Sequence, residues 1–112
     1  MAYHARQGDI IKVDFNPVKG HEQGSFRPAL VISNSVFNEN AGGMAFVLPI
    51  TNSDKGFPLH IPLDGRTKTT GVILCEHVKS IDVAARRAKF VEQLPDDLLD
   101  EAISVVHGSI ER

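Results

Sequence analysis

The chain has 112 residues, enough for one ordinary domain with its own core but not for two. A hydrophobic fraction of 42% beside 23% charged residues is that of a soluble globular protein, and the longest apolar runs, Ala29–Ile32 and Ala45–Ile50, fall far short of the roughly 20 residues a membrane helix needs. The net charge of −2 is unevenly laid out: residues 1–91 carry 11 Lys/Arg against 8 Asp/Glu and residues 92–112 one Arg against 6 Asp/Glu, so the body admits an anionic ligand without requiring one.

The opening MAYHARQGD lacks the apolar stretch of a secretory signal, and a single cysteine, Cys75, excludes an internal disulfide framework and fits a reducing cytoplasm. Ile10–Phe15 follows, with Ile11, Val13 and Phe15 alternating with Lys12 and Asp14, the pattern of a half-buried strand. Asn16-Pro17 ends it, and a polar segment, KGHEQGS, leads to Arg27-Pro28. Arg27–Ser33 is a continuous apolar run that predicts a strand buried on both faces. Asn38–Gly43 reads as a turn cluster, Met44–Ile50 as a strand and Asn52–Gly56 as the next turn. Leu59–Leu63 predicts a short strand, at a sheet edge because of Pro62. Asp64–Thr70 reads as a polar loop free to move, Gly71–Cys75 and His77–Ile81 as two short strands or one bent one, and Ala88–Gln93 as the last strand.

The ending changes period. Leu98, Leu99, Ala102, Ile103, Val106 and Ile110 recur at three- and four-residue spacing, which predicts an amphipathic helix over about 95–111. Pro95 suits its first turn, and Asp96 and Asp97 suit the positive end of its dipole. Short strands with one terminal helix predict a mainly β domain spanning 1–112: a small barrel over about 8–93, covered by the helix.

His4, His21, His60, His77 and His107 are scattered without metal-ligand spacing, so no metal site is expected. Cys75 and His77 would share a strand face, as an inert packed thiol with a nearby imidazole or as a reactive pair. The 19–27 segment carries more chemistry. Gly20 and Gly24 allow close backbone approach to a ligand, and Arg27 offers a planar fork of donors suited to phosphate from the start of a buried strand. A surface ion pair between Glu22 and Arg27 accounts for the same residues equally well. Thr51, Asn52 and Ser53 end an apolar run, with Lys55 in the turn beyond; an ordinary hairpin turn accounts for them too.

Taken together, GDIIKVDFNPVKGHEQGSFRPALVIS, LPIT and GVILCEHVKSID, in this order and spacing, closely resemble the MazF/PemK family of toxin endoribonucleases from Gly8 to about Val91. The resemblance implies an SH3-like β-barrel with a C-terminal helix, a homodimer, and a cytoplasmic toxin blocked by a cognate MazE-like antitoxin. It implies cleavage of single-stranded RNA with neither metal nor cofactor, by attack of the RNA 2′-OH to give 2′,3′-cyclic phosphate and 5′-OH ends. Matched residue by residue, it implies Arg27, Thr51 and Glu22 as catalytic, with Lys19, Gly20, His21, Gln23, Asn52, Ser53 and Lys55 contacting RNA. Phe26, Phe37 and Phe57 are candidate stacking aromatics, and Lys19, Lys55, Arg66, Lys68, Arg86 and Arg87 candidate charges along the RNA track. The alternatives are a CcdB-like toxin without nuclease activity and a small SH3-like interaction module.

Overall fold

The computed structural model describes residues 2–15, 26–53 and 56–112. In chain order the elements are β1 (Asp9–Asp14), β2 (Phe26–Val31), α1 (Ser35–Asn40), β3 (Met44–Thr51), β4 (His60–Pro62), β5 (Val72–Leu74), β6 (Lys79–Asp82), β7 (Lys89–Gln93) and α2 (Asp96–Ile110). The strands form one antiparallel sheet in the order β4-β5-β3-β2-β1-β7, with β6 beside β3. The expected mainly β, barrel-like fold with a terminal helix is present, although β4 and β7 remain unpaired with each other among the described residues, so the roll stays open. Pro62 lies in an end strand, where a residue without an N–H breaks no ladder.

Two cores lie on opposite faces of the sheet, which is why its central strands read as continuous apolar runs. Ile10, Leu30, Leu48 and Ile50 pack with Ile61, Ile73 and Leu94 under Leu98 and Ala102 of α2. Ile11, Val13, Ala29, Val31, Ala45 and Val47 turn the other way and meet Ile81 and Val83. Each fully buried Leu or Ile contributes about 1.5–3 kcal/mol relative to exposure. β1 therefore departs from the expected half-buried strand: Ile10 and Asp14 are buried as well, and Lys12 is its exposed residue. α2 starts at Asp96 with Pro95 before it, and its apolar stripe packs on its own barrel through Leu98, Leu99, Ala102, Val105 and Val106.

Two further expectations are corrected, and of two open readings one holds. Asn38–Asn40, expected to open the turn cluster Asn38–Gly43, instead belong to a helix, Ser35–Asn40, capped by the Asn34 side chain, which accepts from the Phe37 N–H at 2.9 Å. Gly71–Ile81 holds two strands, β5 and β6, with a turn between them in which the His77 N–H donates to the Leu74 carbonyl. The 64–70 loop is tied down. Arg66 holds Asp64 and Asp97 at 2.8 Å each, and the Glu92 carboxylate accepts from the Lys68 N–H at 3.0 Å and from the Thr69 N–H and hydroxyl at 2.8 Å each.

Candidate functional site

The ladder between β2 and β3 pairs Ala29 with Pro49, Leu30 with Leu48 and Val31 with Val47. Arg27 and Thr51 each lie two residues beyond the last of these pairs, toward the same end of β2 and β3. Alternation then puts both on one face, because successive side chains of a strand point to opposite sides. Arg27 is exposed and makes no ion pair or hydrogen bond among the described residues; its neighbour across β1 is Val13. The result is an uncommitted guanidinium on a rigid strand whose other half, Ala29–Val31, is fully buried.

Thr51 is half-buried at the end of β3, paired with Val72 of β5. Its Oγ1 accepts a hydrogen bond from the Ser53 N–H at 3.0 Å. With the oxygen taken up as an acceptor, the hydroxyl hydrogen is left to point at a ligand. Gly71 lies hard against this strand end. It holds a positive φ of 115°, and a Cβ there would come within 2.3 Å of the Thr51 carbonyl oxygen. Only glycine lets the chain pass this close. Asn52 follows, its side-chain oxygen accepting from the Thr70 hydroxyl at 3.1 Å.

Glu22, Lys19, Gly20, His21, Gln23 and Lys55 lie outside the described residues. So does one partner of the Glu22–Arg27 ion pair. Thus the structure brings together Arg27, Thr51, Asn52 and Ser53, all at the same end of β2 and β3.

Other candidates are engaged elsewhere. Cys75 is buried, and burial pushes its thiol up to about 11 while Glu76 and Glu101 add to the effect; at neutral pH it is an un-ionised core residue. His77 is exposed and faces Glu76 at 3.8 Å, so no thiol–imidazole pair forms. Phe37 stacks on Phe46 with ring centroids 4.5 Å apart, and Phe57 meets His60 edge-on at 5.3 Å. Arg66 is held by two carboxylates, Arg86 donates to the Phe15 carbonyl at 3.0 Å, and Arg87 lies 3.4 Å from Asp14 and 5.1 Å over the Phe26 ring. Of the six residues expected along an RNA track, Lys19 and Lys55 lie outside the described residues; of the other four, Lys68 alone has a charged group uncommitted in this way among the described residues.

A cavity of about 460 Å³ lined by Tyr3, Arg6, Asp9, Phe90 and Gln93 sits away from this strand end. Buried Asp9 accepts there from the Tyr3 hydroxyl, the Arg6 N–H and the Gln93 amide, which ties the N-terminal segment to β7. Burial, reinforced by the bond to Asp9, pushes the Tyr3 phenol far above its ordinary range. That network is a structural tie.

Sequence reasoning missed Gly71, Glu92 and Thr70. The first is signalled only by a glycine before an apolar run; the other two act through contacts between distant segments, between Glu92 and Thr69 and between Thr70 and Asn52.

Comparison with known proteins agrees with this architecture. The family described as PemK-like, MazF-like toxin of type II toxin-antitoxin system matches residues 6–109. The chain is 44% identical over 86 residues to the endoribonuclease toxin MazF of Escherichia coli K12, covering 77% of this chain and 76% of that protein. It is 38% identical over 113 residues to the endoribonuclease toxin ChpB of the same organism, covering 94% and 93%. Among solved structures, MazF of Deinococcus radiodurans superposes with a TM-score of 0.85 at 32% identity over 99% of this chain and all of that one. A MazE–MazF structure from the same organism superposes with a TM-score of 0.86 at 33% identity, covering 97% of each chain.

Proposed function

This chain belongs to the PemK-like, MazF-like family of toxins of type II toxin–antitoxin systems, and from that premise we propose that it is the endoribonuclease of such a pair, cutting single-stranded RNA at the strand end that carries Arg27 and Thr51. What supports the reading is that a guanidinium unpaired among the described residues and a hydroxyl whose oxygen accepts from the Ser53 N–H lie on one face at the same end of the adjacent strands β2 and β3. A pure binding module has no need of that pair, which weighs against the CcdB-like alternative.

The chemistry follows from what these groups can do. The RNA 2′-oxygen attacks the adjacent phosphorus in line, the new 2′-O–P bond forms and the P–O5′ bond breaks. Charge gathers on the phosphoryl oxygens, where Arg27 offsets it and Thr51 donates a hydrogen bond. Glu22 takes the 2′-hydroxyl proton as general base, and the departing 5′-oxygen takes a proton from water. Arg27 keeps its charge throughout, since an arginine side chain holds its proton to above about pH 12. The products are a 2′,3′-cyclic phosphate and a 5′-hydroxyl. No step calls for a metal, and among the described residues no group of three or more His, Cys, Asp or Glu side chains could hold one.

The protein works in the cytoplasm as a homodimer, inhibited by a MazE-like antitoxin; the MazE–MazF neighbours support the antitoxin. No helix among the described residues is long and apolar enough to cross a membrane. Mapping the ends left on a long single-stranded RNA tests the proposal: 2′,3′-cyclic phosphate and 5′-hydroxyl ends are expected, and 5′-phosphate ends would overturn it.

A further inference from the structure

Phe26 and Arg27 open β2 with less support than the residues behind them. The β2–β3 ladder ends at the Ala29–Pro49 pair, whereas the β1–β2 ladder runs on to Asp14–Phe26. Among the described residues, the first three of β2 are therefore paired on one side only. Pro28, the third of them, has no N–H to give to that ladder. The backbone that carries Arg27 needs a brace beyond the ladder itself.

The turn between β6 and β7 supplies one. It is closed by the Ala85 N–H, which donates to the Asp82 carboxylate at 3.0 Å, and by the Ala88 N–H, which donates to the Val83 carbonyl at 3.1 Å. It is fastened to the end of β1: the Asp14 N–H donates to the Arg86 carbonyl at 2.9 Å, and the Arg86 guanidinium to the Phe15 carbonyl at 3.0 Å. From this platform the Arg87 guanidinium lies 3.4 Å from the Asp14 carboxylate and 5.1 Å over the Phe26 ring. Asp14 and Phe26 are themselves cross-strand partners, so one side chain spans the last β1–β2 pair. The arrangement has two costs. Arg87 holds a φ of +54°, the one positive φ of a non-glycine among the described residues. Asp14 is buried with its Oδ1 lacking a hydrogen-bond partner, and Arg87 is its ion-pair partner. Glycine at 87 and an apolar residue at 14 would suit folding better, which points to a use for the pair beyond stability.

We propose that Arg87, held by Asp14, is a positioning residue for the cleavage chemistry: it presses Phe26 against the end of β1 and so fixes the backbone from which Arg27 projects to the opposite face. The link runs through the chain itself. Phe26 and Arg27 share a planar peptide unit, so holding the first in its ladder position sets the direction of the second. Arg87 thereby acts on the reacting phosphate only through Arg27. The inference rests on the endoribonuclease reading and adds to it a residue that touches no reacting atom.

The test measures kcat and KM on a single-stranded RNA that wild-type protein cuts, together with thermal midpoints. Arg87→Ala should lower kcat roughly tenfold and leave KM as it was, since a displacement of about 1 Å at a reacting group costs up to about a hundredfold. The same change made in an Arg27→Ala background should cost nothing further, because its effect passes through Arg27. Arg87→Gly, free of strain at φ +54°, should melt above Arg87→Ala and yet show the same loss of kcat. Phe26→Leu, which keeps an apolar side chain and removes the ring face, should lose kcat as Arg87→Ala does, and the two together should cost no more than either alone. Activity that follows the melting points of the glycine and alanine variants marks a structural brace and overturns the proposal. So does a raised KM with kcat intact, or a full loss retained in the Arg27→Ala background, both signs of direct RNA contact by Arg87. Wild-type kcat in both Arg87 variants overturns the positioning role alone. Wild-type protein that cuts no RNA overturns the endoribonuclease reading and the positioning role with it.

Discussion

Arg27 and Thr51 stand on one face of two adjacent antiparallel strands, each two residues beyond the Ala29–Pro49 pair that ends the β2–β3 ladder. Neither residue comes from a free loop: the halves of β2 and β3 behind them are buried on both faces. A guanidinium and a hydroxyl mounted this way need little rearrangement when a phosphate arrives between them, which is where preorganised electrostatic stabilisation has its largest effect.

Replacing Arg27 by alanine should lower kcat on single-stranded RNA by at least about a hundredfold, near 2.7 kcal/mol of barrier, the usual loss when one preorganised donor is removed from developing charge. Because Arg27 is exposed and unpaired among the described residues, the variant should melt where wild type does. A folded Arg27→Ala protein of near-normal activity would remove Arg27 from the chemistry.

Thr51→Val keeps the shape and removes the hydroxyl. A hydrogen bond to a charged partner contributes about 1.5–3 kcal/mol, so a loss of roughly ten- to a hundredfold in rate is expected. Thr51→Ser keeps both the donor and the acceptor used by the Ser53 N–H and should stay within severalfold of wild type. Equal activity of the serine and valine variants would contradict a donor role for the hydroxyl.

Gly71→Ala should damage the site without touching a reacting group. The added Cβ would meet the Thr51 carbonyl oxygen at 2.3 Å in a backbone held at φ +115°, so the end of β3 must shift. Strain of this kind costs on the order of 1–3 kcal/mol, readable as a lower thermal midpoint together with reduced activity. Gly65→Ala, where a Cβ meets nothing within 4 Å, is the control and should change neither.

The Glu92 clasp sets a pH dependence of stability. Burial works against the charged form of Glu92, but the donors from Lys68 and Thr69 outweigh it and hold its carboxyl below the ordinary glutamate value of about 4.3. A folded-state pKa depressed in this way contributes stability that is fully present above the unfolded value and is lost as pH falls through the lower folded one. The urea midpoint of wild type should therefore exceed that of Glu92→Gln by a constant margin from about pH 6 to 8, narrowing once the solution is more acidic than about pH 4.3. A margin that widens on acidification would show that the clasp does not work through the charged carboxylate.

How much of this could be read from the residues varies with the range of the interaction. Strands announced themselves where both faces are buried, as in Ala29–Val31, and α2 where Leu98, Ala102 and Val106 keep helical spacing. Arg27 and Thr51 were visible as polar residues at the ends of apolar runs, but that they share one end of adjacent strands is a matter of register, which pairs residues distant in sequence such as Ala29 and Pro49. α1 was hidden by its asparagines, which favour turns and helix caps for the same reason; here Asn34 caps and Asn40 ends the helix. The 64–70 loop looked mobile because its composition is polar. Its order comes from Glu92 and Asp97, whose carboxylates lie 23 or more residues away in sequence.

The most direct test of the account is cleavage of two otherwise identical single-stranded RNAs in excess EDTA, one all-ribose and one with 2′-deoxyribose at the mapped cut position. The account predicts rapid cutting of the first and none of the second. Cleavage that requires Mg²⁺, or that proceeds on the deoxy-substituted strand, would contradict attack by the RNA's own 2′-hydroxyl at the Arg27–Thr51 strand end.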